Sequence, residues 1–434
     1  MRHVIVGASA AGMAAAEAIR KRQPMAEIVM LSAEARPPYY RPLIPYLIYQ
    51  GKPETEILRE PRLTPGDLHL RLNTRAVRFD PQAHIINCVN NRGHEVEPPL
   101  QYDRLLIATG ASPIRPPIPG LEGSGVFTLR TWDDALDIAS AAQGASQAVV
   151  LGAGRIGMKS AFALRHLGLS VTVVELLDRI VPQQLDAQSA AIFAEAVANA
   201  GIQTILGHTL AQVNRRDGKV ISTSLDDGSE LKADLVVIGV GVRPNLDLAA
   251  SGGLPCTISQ GLRLAQGLQV DAHLSTSAPD VYAAGDVVET SDILTGKPIV
   301  SGIWTNAVNM GRVAGDHIAG GDATYKGAFS LLNAMELGGL PVISVGDIHR
   351  SPGDGVEVFS ERRGSNYRKL VFEGNRLIGL VMVGNIEGAG VYQTLIREQA
   401  DVSALRRELL GPRFHYGHYV LTGNKLIDRY VSLA

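Results

Sequence analysis

Two glycine-rich segments have the spacing needed to hold a pyrophosphate. In Gly7-Ala8-Ser9-Ala10-Ala11-Gly12, after Val4-Ile5-Val6, and in Gly152-Ala153-Gly154-Arg155-Ile156-Gly157, after Val149-Val150-Leu151, an apolar strand enters a glycine turn that opens an alanine-rich stretch. The first glycine makes the tight turn, the second lets the backbone approach phosphate, and the third lets helix and strand pack closely. The phosphates then meet free N–H groups at the positive end of a helix. Ser9 at the middle position makes the first turn the less orthodox. Two copies imply two dinucleotides.

An acid at the end of the following strand accepts hydrogen bonds from a ribose and repels a 2′-phosphate. In the second unit Val171-Thr172-Val173-Val174 ends in Glu175 at the expected distance, so this unit should prefer NAD to NADP. In the first, Ile28-Val29-Met30-Leu31 is followed by Ser32-Ala33-Glu34, and Glu34 is the ribose candidate.

Elements around the turns follow from pattern. Residues 2–31 read as strand, helix, strand, followed by the proline-rich loop Arg36–Pro42. Asn90–Gly93 marks a hairpin, as do Asp217-Gly218 and Asp227-Gly228. Tyr102–Gly110 reads as a buried strand ending in a turn, Ser112–Pro119 with its four prolines as a linker, and Ile303–Ala319 as a helix. Over the last hundred residues, short strands (Val342–Val345, Tyr367–Phe372, Leu377–Val383) and two helical segments carry no nucleotide signature, which suggests an α+β packing or dimerisation domain.

A chain of 434 residues is long enough for two or three domains. A formal net charge of −2 offers no basic face for nucleic acid, and no apolar run is long enough to span a bilayer. The expected location is the cytoplasm. Cys88 and Cys256 have neither disulfide-framework nor metal-ligand spacing, and Cys88 reads as a small buried hydrophobe.

In order along the chain, Ala33-Glu34 to Arg41-Pro42, Ala108-Thr109-Gly110, Thr128–Thr131, Gly239–Asn245 and Tyr282–Asp286 resemble the FAD/NAD-linked reductases of the pyridine nucleotide-disulfide oxidoreductase family. The resemblance covers essentially the whole chain. It implies an α/β fold of two Rossmann-like dinucleotide-binding domains and a C-terminal α+β interface domain. The FAD domain would be discontinuous (1–115 and 245–324), with the NAD domain (116–244) inserted and the interface domain (325–434) last. It assigns FAD to Gly7, Ser9, Ala10, Ala11, Gly12, Glu34, Arg41, Val77, Thr109, Gly110, Arg130 and Asp286, with Glu34 on the adenosine ribose and Asp286 on the ribityl chain or phosphate. It assigns NAD(H) to Gly152, Gly154, Ile156, Gly157, Glu175 and Gly241.

Departures from the family bear on the substrate. Aligning Pro42-Leu43-Ile44-Pro45-Tyr46 with the family segment places Pro42 where disulfide reductases keep a redox cysteine, so no thiolate relay is available there. The His-Pro-Thr motif of glutathione-reductase-like members is also absent. What remains resembles the ferredoxin and rubredoxin reductases and the FAD/NAD module of nitrite reductases. That branch often pairs a loop lysine with a glutamate after the second glycine motif. Here the two positions are Tyr46 and Lys159, and a buried Lys159 would raise the flavin potential, whereas a solvent-facing one would not.

The implied reaction is hydride transfer between NADH and flavin, with single electrons passing to or from an iron-sulfur protein or subunit, since the chain has no cysteine cluster of its own. Flavoproteins of this kind also serve as the NAD-linked subunit of 2-oxoacid oxidoreductases. Oligomerisation is expected, as a homodimer or as part of a hetero-oligomer. The alternatives are an NADH oxidase or peroxidase using oxygen directly, and a non-catalytic flavoprotein.

Overall fold

The computed structural model describes residues 1–60, 68–256, 267–411, 414, 415 and 417. The chain divides into two compact units, Met1–Leu176 with Ile202–Ser330, and Leu177–Gly201 with Leu331–Ala434.

The first unit holds two five-stranded parallel sheets. One has the order Val281–Ala283, Arg104–Ile107, Arg2–Val6, Glu27–Leu31, Leu68–Arg71, and its three inner strands end in buried runs rich in Val, Ile and Leu, as a sheet covered on both faces requires. The other has the order Ile202–Leu206, Ser170–Glu175, Gln147–Leu151, Leu235–Ile238, Val126–Thr128. In each sheet the strand before a glycine turn is central, and strand order reverses beside it, which is where open parallel sheets bind ligands. Val281–Ala283 completes the first sheet after the chain has formed the whole of the second.

The alanines of the helix Ala10–Arg22 serve packing. A Cβ on Gly311 would overlap the backbone at Ala11, and one on Gly315 the backbone at Ala15, so small residues on both sides let the helix Trp304–Ile318 lie close against the first glycine helix. The expected hairpins are present: Thr74–Asp80, Ile85–Asn90 and Glu95–Gln101 form one antiparallel sheet, and Leu210–Arg216, Lys219–Leu225 and Glu230–Lys232 another. The proline-rich linker begins as a strand, Ala111–Pro113, paired antiparallel with Val242–Pro244, so the outgoing and returning connections between the sheets are stitched together.

The second unit is an antiparallel sheet of order Leu332–Leu337, Leu340–Gly346, Arg376–Val383, Asn366–Glu373, Val356–Arg363. Its central strands put adjacent side chains on opposite faces. Arg368 reaches Tyr392 of the helix Ala389–Arg397 at 3.0 Å, whereas Tyr367 and Lys369 reach Asp186, at 2.7 and 3.3 Å. Asp186 is the N-cap of the helix Ala187–Asn199. That helix lies in sequence between two paired strands of the second parallel sheet, Ser170–Glu175 and Ile202–Leu206, yet belongs with this antiparallel sheet. Among the described residues no helix is long and apolar enough to cross a membrane.

Candidate functional site

Both glycine turns leave a helix end open to an anion. Ser9, the N-cap of Ala10–Arg22, makes no side-chain cap bond, and Gly154, the N-cap of Arg155–His166, has no side chain to offer. By contrast, the helix Trp132–Ala142 closes its own end with a Thr131/Asp134 capping box. The glycines are sterically required: Gly7 and Gly152 adopt φ of +117° and +98°. A Cβ on Gly12 or Gly157 would overlap the carbonyl of the first glycine of its own turn. Ala10 and Ala11 are buried in the first turn of the helix.

Around the first turn lies a connected set of charged groups. Glu34 takes Arg41 Nη2 on Oε1 at 2.7 Å and the Tyr39 hydroxyl on Oε2 at 2.5 Å. Arg41 Nη1 also donates to the carbonyl of Arg130 at 2.6 Å, and Arg41 Nε stands 3.5 Å from Ser9 Oγ, at the turn itself. Burial opposes the Arg41 charge, but Tyr39 and Glu34 hold its pKa above the ordinary value. The Arg130 guanidinium pairs with Asp286 at 3.0 Å. Asp286 precedes no helix in its turn, so it is not a helix cap. Gly302, at the approach to the helix Trp304–Ile318, lies against Asp286 Oδ2, at 3.9 Å from the place of a Cβ.

Thr109 and Gly110, at the end of the strand Arg104–Ile107, are held by Asn245. Thr109 Oγ1 donates to the Asn245 carbonyl, Asn245 Nδ2 returns a bond to the Thr109 carbonyl, and Asn245 N donates to the Gly110 carbonyl, each at 2.9 Å. Val77 is an exposed apolar side chain at a bulge, where pairing shifts between Ala76 and Arg78. The start of its strand is bonded to the Ser32–Glu34 loop through Asn73 and Thr74.

At the second turn, Glu175 Oε2 accepts the N–H of Ala153 at 2.7 Å, which sets the acid against the glycine loop. Ile156, Leu176, Val240 and Val242 are exposed apolar side chains at the same edge of that sheet. Gly241 has φ +117° and accepts the Ile114 N–H on its carbonyl at 2.9 Å.

The second glycine helix meets the loop after Glu34 through Lys159. Its Nζ donates to the Pro42 carbonyl at 3.3 Å, and burial, then Arg155 one turn earlier, lower its pKa. Arg155 is desolvated as well, with its pKa lowered by burial and supported by Asp286. Tyr46 packs instead on Tyr49, with ring centroids 6.0 Å apart and the Lys52 ammonium 5.7 Å from its ring. The structure thus joins Ser9, Glu34, Arg41, Arg130 and Asp286 in one network and sets Lys159 beside Pro42. Tyr39, Arg155 and Asn245 were missed as site residues, although Tyr39 and Asn245 fall inside the motifs that carried the resemblance.

Open helix ends, crowded glycines and an acid at or after the end of the second strand of each unit fit a dinucleotide at each turn. Fold and site define a two-dinucleotide flavoprotein oxidoreductase. A profile described as pyridine nucleotide-disulphide oxidoreductase matches residues 1–311, and one described as rubredoxin NAD+ reductase C-terminal domain matches residues 332–400. The chain belongs to the pyridine nucleotide-disulphide oxidoreductase family and is an NAD(H)-dependent flavoprotein oxidoreductase with FAD and NAD(H) as cofactors.

It is 33% identical over 402 residues to an NADH oxidase of Methanocaldococcus jannaschii, covering 89% of this chain and 86% of that protein. It is 30% identical over 429 residues to the epsilon subunit of NADH-dependent phenylglyoxylate dehydrogenase of Aromatoleum evansii, covering 97% of each. The structure of a NAD-dependent persulfide reductase from A. fulgidus superposes with a TM-score of 0.83 at 30% identity, over 94% of this chain and 78% of that one.

Proposed function

We propose that the chain moves electrons between NAD(H) and an iron-sulfur protein or subunit without a thiol intermediate. The observation that carries this reading is Pro42, with Lys159 on its carbonyl, at the position aligned with the family's redox cysteine. Cys88 is buried in the strand Ile85–Asn90 and Cys256 lies far along the chain, so neither stands in for it. The match of residues 332–400 to the rubredoxin reductase C-terminal domain supports an iron-sulfur acceptor. Similarity to the phenylglyoxylate dehydrogenase epsilon subunit along 97% of the chain supports a role as the NAD-linked flavoprotein subunit of a larger complex.

Residues 1–115 and 245–324 form the FAD-binding domain, 116–244 the NAD-binding domain and 325–434 the interface domain, through which the chain dimerises or docks a partner subunit. The amides of Ala10, Ala11 and Gly12 bind the FAD pyrophosphate at the helix end, with Ser9 and Arg41 beside it and Glu34 on the adenosine ribose. Val77, Thr109, Gly110 and Arg130 line the remainder, and Asp286, oriented by Arg130, accepts from the ribityl chain. Gly152, Gly154 and Gly157 bring the second helix end to the NAD(H) pyrophosphate, Ile156 and Gly241 flank it, and Glu175 selects the unphosphorylated ribose. FAD held at the first turn would supply the redox chemistry that links NAD(H), a two-electron carrier, to a one-electron acceptor. Lys159 contributes a desolvated positive charge near the flavin, and Tyr46 shields that end of the site. No side chain acts as a general acid or base. The two free cysteines suit the reducing cytoplasm.

The test is anaerobic rapid mixing. NADH should reduce the flavin within milliseconds, and a rubredoxin or ferredoxin, or the iron-sulfur subunits that co-purify with the native protein, should reoxidise it faster than air does. The relative from M. jannaschii favours a second reading, an oxidase that uses oxygen at the flavin. Rapid oxygen uptake stoichiometric with NADH would establish that reading and overturn the first.

A further inference from the structure

We propose that Tyr39 is a positioning residue for FAD: its hydroxyl locks Glu34 and Arg41 into the arrangement that presents one to the adenosine ribose and the other to the pyrophosphate. This rests on the reading that the first glycine turn holds FAD.

The Tyr39 ring is almost fully buried, at 4% exposure. Trp132 packs edge-on against it, with centroids 5.6 Å apart, and the Arg41 guanidinium lies 5.0 Å from its centroid. Burial pushes the hydroxyl pKa up, so the proton stays on the oxygen. A phenol offers one donor and two acceptor positions. All three are used: it donates to Glu34 Oε2 at 2.5 Å and accepts from Arg41 Nη1 at 3.0 Å and from the Trp132 N–H at 3.1 Å. A hydroxyl with no capacity left acts on a ligand only through its neighbours.

Those neighbours keep capacity in hand. Each Glu34 oxygen has one hydrogen-bond partner in this network and can accept a second bond from a ribose hydroxyl. Arg41 commits Nη1 to Tyr39 and the Arg130 carbonyl and one Nη2 proton to Glu34. Its Nε faces Ser9 Oγ at the glycine turn, at 3.5 Å. The same hydroxyl fixes the first N–H of the helix Trp132–Ala142, and Arg130, two residues before that helix, aims its guanidinium at Asp286. Tyr39 therefore joins the adenosine end of the site to its ribityl end.

The experiment follows FAD release from the holoprotein by the rise in FAD fluorescence after dilution into mild chaotrope. The proteins compared are wild type, Tyr39→Phe, Glu34→Gln and the double variant. A hydrogen bond to a partly buried charge sets the scale, so Tyr39→Phe should speed release about 10-fold. Because the hydroxyl acts through Glu34, the double variant should release FAD much more slowly than the product of the two single effects predicts. NAD(H) affinity at the second turn should stay within about twofold, which separates a local effect from unfolding.

Unchanged release in Tyr39→Phe, or strictly multiplicative effects in the double variant, overturns the proposal. If Tyr39→Phe does not fold, Glu34→Gln reads the same contact from the other side, and unchanged release there overturns it equally. A wild-type protein that holds no FAD defeats the underlying reading instead, so the two failures are distinct.

Discussion

Lys159 Nζ and the Pro42 carbonyl oxygen stand 3.3 Å apart, joining the second glycine helix to the loop that follows Glu34. Burial followed by Arg155 draws the pKa of this ammonium below the ordinary lysine value. In the proposed FAD site, a cation at this place would stabilise electron-rich flavin. Lys159→Met should lower the midpoint potential of bound FAD by roughly 20–45 mV, equivalent to about 1–2 kcal/mol for a two-electron couple. The charge is present below the lowered pKa and lost as pH rises through it. The difference between wild type and variant should therefore shrink at a lower pH than for a solvated lysine. Spectroelectrochemical titration at several pH values measures both effects, and equal potentials would remove Lys159 from the site.

Catalysis without a thiol predicts indifference to alkylation. Burial raises the Cys88 thiol pKa, and that of Cys256 as well, so little thiolate exists at neutral pH. NADH-dependent reduction of an acceptor should survive excess iodoacetamide unchanged. Activity that falls in step with modification would show that a cysteine takes part.

What was legible in the sequence, and what was not, divides along a physical line. Gly12 and Gly157 could be read because a side chain there collides with the backbone of its own turn, a local constraint that leaves a local pattern. The hairpins at Asp217-Gly218 and Asp227-Gly228 were legible for the same reason. The Tyr39 network was not, since its partners include Trp132, 93 positions away. Nor was the placement of the helix Ala187–Asn199, because an amphipathic helix does not declare which sheet it covers. The strands Leu332–Leu337 and Val356–Arg363 escaped notice: Asn333, Glu336 and the run Ser360–Arg363 interrupt the apolar pattern at the outer strands of the sheet.

Glu175 supports the glycine loop as well as the proposed ribose contact, because its Oε2 accepts the Ala153 N–H. Glu175→Ala should lower the ratio of kcat/KM for NADH to that for NADPH by about 10-fold, equivalent to 1.4 kcal/mol. Glu175→Arg should lower it further by attracting the 2′-phosphate. Glu175→Gln, which keeps an acceptor for Ala153, should retain NADH affinity better than Glu175→Ala. Steady-state kinetics with both nucleotides decides, and an unchanged ratio in all three variants would mean the acid does not face the ribose.

Asp186 makes the stability of the second unit depend on pH. Burial pushes its pKa up, but hydrogen bonds from Ser189 and Tyr367 and the charge of Lys369 outweigh burial and hold it below the ordinary Asp value. A carboxyl with a depressed native pKa gives stability that is present above its unfolded pKa and lost as pH falls through the native one. The contribution should hence be constant from neutrality to about pH 5 and fade in the acid range below 3.8, the ordinary value. Asp186→Ala removes the N-cap of Ala187–Asn199 and leaves the largely buried Lys369 without its carboxylate. The expected cost is about 3 kcal/mol near neutrality. Adding Lys369→Met should recover part of it, since the unpaired charge is then gone. Hydrogen exchange of the amides in Ala187–Asn199 reads the loss locally. Unchanged protection in Asp186→Ala would show that the helix is held by apolar packing alone.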